Sequence, residues 1–170
     1  AGAIAGEVAR LCKSMDMTVL GVKRTVTPLE HYDRVYSNQD LDLALGQMDF
    51  VVILTPLTQE TRGLFDAGRL AACKPGAYLI NIARGPVVET AALIQALRSG
   101  HLGGALDAID EADLPADSPL WDMPNVFLTP QYSATSPLYV DRAVEQFLEN
   151  LDNFRAGRPL FNVIDVASLR

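Results

Sequence analysis

Strand-like apolar runs alternate with segments of helical period along most of this 170-residue chain, and few architectures accept that order. Residues 18–22 (Thr-Val-Leu-Gly-Val) read as a strand. Phe50-Val-Val-Ile-Leu54 is apolar without a break, the pattern of a strand buried on both faces of a parallel sheet. Ala77-Tyr-Leu-Ile-Asn81 and Gly104-Ala-Leu-Asp107 are further strands, and Val126-Phe-Leu128 is a last short one. Between them the apolar positions switch to a helical spacing. A helix is predicted from about Ile4 to Ser14 on the recurrence of Val8, Leu11 and Cys12, and a short one from Asp40 to Leu45. Another is predicted from Glu89 to Arg98, with Ala92, Leu93, Ala96 and Leu97 on one face and Gly100 just past its end as a C-cap. The longest helix is predicted over residues 137–156, with Val144, Phe147, Leu148, Leu151 and Phe154 at core-facing spacing. Residues 110–124 read as a loop rich in Asp and Pro. Strands alternating with helices imply an α/β domain, a parallel sheet covered on both faces.

In such sheets ligands sit at the carboxyl ends of the strands. The chain opens with Ala1-Gly2-Ala3-Ile4-Ala5-Gly6, which fits the later part of a Gly-x-Gly-x-x-Gly/Ala dinucleotide turn. Gly2 takes the second glycine position, where the backbone must approach a pyrophosphate, and Ala5 the third, where only a small residue lets helix and strand pack closely. The first glycine and its strand are expected just before Ala1, so the fold expected is a Rossmann-type doubly wound parallel sheet with its leading strand truncated. The amides of Ala3 and Ile4 would open the first helix, where free N–H groups and the positive dipole end favour a phosphate. Four other strand ends carry polar or special residues: Lys23, Arg24 and Thr25; Thr55 and Pro56, with Leu57 and Thr58; Ile82, Ala83, Arg84 and Gly85; and Asp107.

Composition narrows the partners. The chain is 49% apolar, with a net charge of −7, which argues against nucleic acid or an anionic membrane as a main partner. No apolar run reaches the length of a membrane span. Cys12 and Cys73 are too few for a disulfide framework and too far apart for a metal clip, so both are expected as buried apolar residues in a reducing cytosol, and no metal site is expected.

Several motifs in order carry a resemblance. They are Asp49-Phe-Val-Val-Ile-Leu-Thr-Pro-Leu57 with Glu60-Thr-Arg-Gly63, Leu79-Ile-Asn-Ile-Ala-Arg-Gly-Pro-Val-Val88, Gly103-Gly-Ala-Leu-Asp107, and Pro119-Leu-Trp-Asp-Met-Pro-Asn-Val126 followed by Leu128-Thr-Pro130. Together the chain resembles the NAD(P)-binding domain of the D-isomer-specific 2-hydroxyacid dehydrogenases. The resemblance implies a dinucleotide-binding domain over residues 1–170 and a substrate-side domain built mostly from a half that lies N-terminal to this chain. It implies hydride exchange between a nicotinamide cofactor and a small 2-keto or 2-hydroxy acid, in a cytoplasmic homodimer. It implies cofactor contacts from Gly2, Ala3, Ile4, the Lys23–Thr25 turn, Thr55, Pro56, Thr61, Ile82, Ala83, Arg84 and Asp107. Arg84 matches the family's substrate-binding arginine, whose planar fork suits an α-keto carboxylate. Asp107 matches the residue that holds the nicotinamide carboxamide.

The chain departs from the family pattern in two places. NAD-using members carry an Asp at the end of the second strand, where Lys23 stands here with Arg24 and Thr25 after it. A carboxylate would repel a 2′-phosphate, whereas Lys and Arg attract one, so NADP is expected over NAD. The family's Thr-Pro-His reads Thr129-Pro130-Gln131, and its loop Glu falls on Ala112. Gln131 can donate a hydrogen bond to a carbonyl oxygen but holds no proton to give near neutral pH. Asp110, Glu111 and Asp113 flank the Ala112 position as solvated acids or as a way to orient a water. Neither His31 nor His101 is placed to replace the family acid, and both are expected at the surface. The sequence therefore leaves open a dehydrogenase with an unusual proton donor, a catalytically impaired dinucleotide-binding or regulatory module, and a bare fragment.

Overall fold

Every strand pairing among the described residues, 2–109 and 114–163 of this computed structural model, is parallel, as the alternation requires. β1 (Leu20–Val22) pairs with β2 (Arg34–Tyr36). β3 (Phe50–Ile53), β4 (Tyr78–Asn81), β5 (Gly103–Leu106) and β6 (Val126–Leu128) form a second sheet in that spatial order. The helices are α1 (Ala3–Lys13), α2 (Leu41–Leu45), α3 (Ala67–Ala72), α4 (Thr90–Arg98) and α5 (Tyr139–Arg155). The chain divides into two compact units, Ala1–Gln131 and Tyr132–Arg170. Both sheets lie in the first unit, and α5 lies in the second.

The expectation of strands buried on both faces is corrected. Side chains alternate across a strand, and among the described residues the two faces of the larger sheet differ in burial. On one face Val51, Ile53, Leu79 and Leu106 are buried with Leu41 and Leu45 of α2, Leu70 of α3, and Leu93 and Leu97 of α4. The opposite face carries Phe50, Tyr78 and Phe127, all exposed, with the Phe50 and Tyr78 rings stacked at 6.2 Å. Within the uninterrupted Phe50–Leu54 run, Val51 and Ile53 are buried, Val52 and Leu54 half-buried and Phe50 exposed.

The stripe on the long helix is also corrected. It forms a helix at the expected place, but no residue of α5 is buried, and Phe147 and Phe154 are 65% and 72% exposed. Helical spacing identifies a face and does not say what meets it. In α1 the inward residue is Ala9, while Leu11 is exposed and Cys12 half-buried. β2 and α3 are additions to the expected elements. α3 is six residues long and starts where Asp66 accepts from the Arg69 amide at 2.9 Å, an N-cap that offsets an otherwise weak helix. Gly100 follows the C-cap Ser99 of α4 with φ +73°, the left-handed conformation that glycine adopts at little cost.

Side-chain bonds fasten α1 to the smaller sheet. The Tyr32 hydroxyl donates to the Ala5 carbonyl at 2.8 Å, and Lys13 Nζ reaches Asp33 Oδ1 at 2.9 Å. The Val19 amide donates to Asp33 Oδ2 at 2.7 Å; that bond first, then Lys13, holds the Asp33 carboxyl below the usual carboxylate range. The Tyr32 ring lies so close over β1 that a Cβ on Gly21 would sit 2.8 Å from it, so β1 needs glycine there.

Cys73 closes α3 inside the core, and burial pushes its thiol up to about 11. At pH 8 only about one molecule in a thousand would carry the reactive thiolate. We expect a thiol reagent to leave Cys73 unmodified in the folded protein at pH 8 and to label it after denaturation. Peptide mapping of the labelled protein checks this, and rapid labelling of the folded state would contradict it.

Candidate functional site

The sheet register sets the candidate site. Ile53 pairs with Asn81, Asn81 with Leu106, and Leu106 with Leu128, so the last residues of four parallel strands form one row. The residues that follow them leave the sheet at a common edge. These are Leu54 to Pro56, Ile82 to Arg84, Asp107, and Thr129 to Gln131. The strand-end residues expected from the sequence on β3, β4 and β5 are therefore brought together, with Gln131 beside them. His101 precedes β5, at the other end of the strands, half-buried with its Nε2 enclosed and unpartnered among the described residues. His31 is half-buried with φ +68° and lies 3.5 Å from Glu30. Ala112 and the acids Asp110, Glu111 and Asp113 lie outside the described residues, as does Ala1.

Arg84 stands at the end of the Ile82–Arg84 turn with its side chain exposed, and its Nη1 donates to the Ala83 carbonyl at 2.7 Å. Asn81 builds that turn. It is only 1% exposed, its Nδ2 donates to the Arg84 and Ala108 carbonyls at 3.1 Å each, and its Oδ1 accepts from the Ala83 amide at 3.1 Å. One buried amide thus shapes the arginine turn and ties it to the chain leaving β5. The sequence reading did not single out Asn81; the signal was a polar residue closing an apolar strand.

Asp107 is 7% exposed, its amide donates to the Asn81 carbonyl at 3.0 Å, and its Oδ1 accepts from the Thr129 hydroxyl at 2.5 Å. Gln131 is exposed with φ +50°, and its amide donates to the Thr129 carbonyl at 3.0 Å across Pro130.

After β1, the Lys23 amide donates to the Tyr36 carbonyl at 3.0 Å and continues the ladder. Arg24 Nη2 lies 3.9 Å from Glu60 Oε2, which places the Lys23–Thr25 turn beside the loop after β3. Both side chains are mostly exposed, so the pair adds little stability. Thr61 lies in the loop after β3. Its hydroxyl accepts from the Thr58 amide at 2.8 Å and donates to the Pro56 carbonyl at 2.6 Å, so it shapes the loop from within. At the start of α1, Gly2 is extended, no side chain caps the helix, no acidic residue sits in its first turn, and a Cβ on Gly2 would meet nothing within 4 Å. Those uncapped amides and the open approach suit an anion. The Tyr32–Ala5 bond fixes this helix end to the β1–β2 sheet. Among the described residues no cluster of His, Cys, Asp or Glu could hold a metal ion, and no helix is long and apolar enough to cross a membrane.

The chain is similar to known proteins over most of its length. Residues 1–133 match the family model of the D-isomer specific 2-hydroxyacid dehydrogenase, NAD binding domain. An NADPH-dependent glyoxylate/hydroxypyruvate reductase of Sinorhizobium meliloti, solved with NADP and sulfate, superposes with a TM-score of 0.90 at 32% identity, over 99% of this chain and 54% of that one. A D-isomer specific 2-hydroxyacid dehydrogenase of Xanthobacter autotrophicus Py2, solved with NADPH and MES, gives 0.82 at 41% identity, over 91% of this chain and 63% of that one. A glyoxylate reductase of Thermococcus onnurineus is 36% identical over 157 residues, 92% of this chain and 47% of that enzyme. The chain spans about half the length of the relatives it matches.

Replacing Asn81 by Asp would turn a donor toward two carbonyl oxygens into a buried acceptor. We expect Asn81→Asp to cost about 1–3 kcal/mol of stability. Denaturant unfolding of the variant against the wild type measures it, and an unchanged midpoint would show that the turn does not depend on this amide.

Proposed function

The chain belongs to the D-isomer specific 2-hydroxyacid dehydrogenases, through their NAD-binding domain, and we propose that it supplies the cofactor side of a reductase that uses NADP in preference to NAD. The proposed substrate class is a small 2-keto acid of glyoxylate or hydroxypyruvate size, as in the names of its relatives. The observation that carries the reading is the single row of strand ends, from which Arg84, Asp107 and Gln131 all depart.

The residues fit a dinucleotide phosphate by charge and by geometry. The uncapped first turn of α1 offers amides to a pyrophosphate. Lys23 and Arg24 offer cations where a 2′-phosphate would lie, and Glu60 alone draws on Arg24 among the ion pairs of the described residues. Bound nicotinamide would supply the hydride. Arg84 has a fork of donors for the carboxylate and carbonyl of a keto acid, with one donor already turned to Ala83. Asp107 would accept from the carboxamide and set which face of the ring meets the substrate. Gln131 would donate a hydrogen bond to the carbonyl oxygen and polarise it, and the proton that completes the alcohol would come from water. A positioned general acid typically contributes 10²–10⁴ in rate, so the parent enzyme would turn over slowly.

Gln131 together with Ala112 also supports a second reading, a dinucleotide-binding or regulatory module that retains the cleft without the chemistry. Turnover of several 2-keto acids with NADPH by the full-length protein separates the two. Restoring the pair with Gln131→His and Ala112→Glu should raise kcat by about tenfold or more. No gain would mean that the cleft has lost its geometry as well as its acid.

The cofactor preference has its own test. Replacing Lys23 and Arg24 together by Ala should raise KM for NADPH by about tenfold or more, since each removes a charge-assisted bond, with little change for NADH. Steady-state kinetics with both cofactors measure this. Wild-type efficiency with NADH at or above that with NADPH would end the proposal of NADP preference.

A further inference from the structure

We propose that Thr129 is a positioning residue for the nicotinamide end of the site, through its bond to the Asp107 carboxylate. The inference rests on the cofactor reading above and adds to it. Thr129 follows β6 in the row of strand ends, and its amide continues the ladder by donating to the Leu106 carbonyl at 3.1 Å. Asp107 follows β5 in the same row, with its amide on the Asn81 carbonyl. Backbone pairing therefore fixes both Cα positions before any side chain acts. The Thr129 hydroxyl then donates to Asp107 Oδ1 at 2.5 Å.

This contact selects the carboxylate's orientation. An Asp side chain turns broadly about its second torsion, and a carboxylate rotated out of place would offer its lone pairs in the wrong direction. A carboxylate accepts about four hydrogen bonds in all, so a bond from threonine is compatible with another from an amide N–H. Thr129 is β-branched and stiff at its first torsion, which holds the hydroxyl where the ladder puts it. Asp107 is buried, so its orientation depends on such partners more than on water. The role belongs to the nicotinamide end alone. Lys23, Arg24 and the first turn of α1, the proposed phosphate contacts, lie on other elements.

The test compares two ligands on full-length protein by calorimetry: NADPH, and adenosine 2′,5′-bisphosphate, which lacks the nicotinamide. Thr129→Val keeps the shape and removes the hydroxyl. It should raise Kd for NADPH about tenfold and leave Kd for the bisphosphate unchanged, and Thr129→Ser should restore NADPH binding. Weakening of both ligands would overturn the inference, because it would mark a general structural role. Unchanged NADPH binding would also overturn it. Failure of the wild-type protein to bind either ligand would instead remove the cofactor reading on which the inference stands.

Discussion

Backbone pairing in register is the constraint on which the rest of this structure depends. A parallel pair cannot be closed by a tight turn, so each strand must be followed by a crossover that begins at its carboxyl end. With Ile53, Asn81, Leu106 and Leu128 paired along one row, three such crossovers and the chain leaving β6 begin side by side. Hydrophobic burial then locks the register. A slip of one residue in β4 would move Leu79, which is fully buried, to the face that holds exposed Phe50 and Phe127. Core packing on one face thus maintains the alignment of polar residues at the edge.

The parts that were legible in the sequence are those where local pattern and tertiary outcome agree. Phe50–Ile53 and Tyr78–Asn81 are strands because their branched and aromatic residues suit no other element at that length. α4 was legible from its period and from Gly100. β2 was not, since Arg34-Val-Tyr36 is too short and too polar at its start to carry a period. α3 was not, because Gly68 weakens its propensity and its support comes from the Asp66 cap. The face assignments of β3 and α5 were not legible, because an apolar residue shows where burial would be favourable and does not report what covers it.

At the site, residue identity was legible and role was less so. Arg84, Asp107 and Gln131 stand at the expected edge. Asn81 and Thr129 also bond to residues 27 and 22 positions away, Ala108 and Asp107, and no local pattern reports such a link. Thr61 matched a motif, and its hydroxyl bonds to Pro56 and Thr58 within its own loop. Motifs identify which residues meet a fold's requirements without separating those that touch a ligand from those that shape the loop around it.

The backbone at Gln131 carries a consequence of its own. Its φ of +50° lies in the left-handed region, where a side chain with a Cβ is disfavoured by about 1–2 kcal/mol. Asparagine, aspartate and histidine tolerate that region better than most residues. The bend after Pro130 is thus shaped for a class of side chain to which imidazole belongs and the longer amide does not, so this chain holds glutamine in a conformation that histidine would enter more readily.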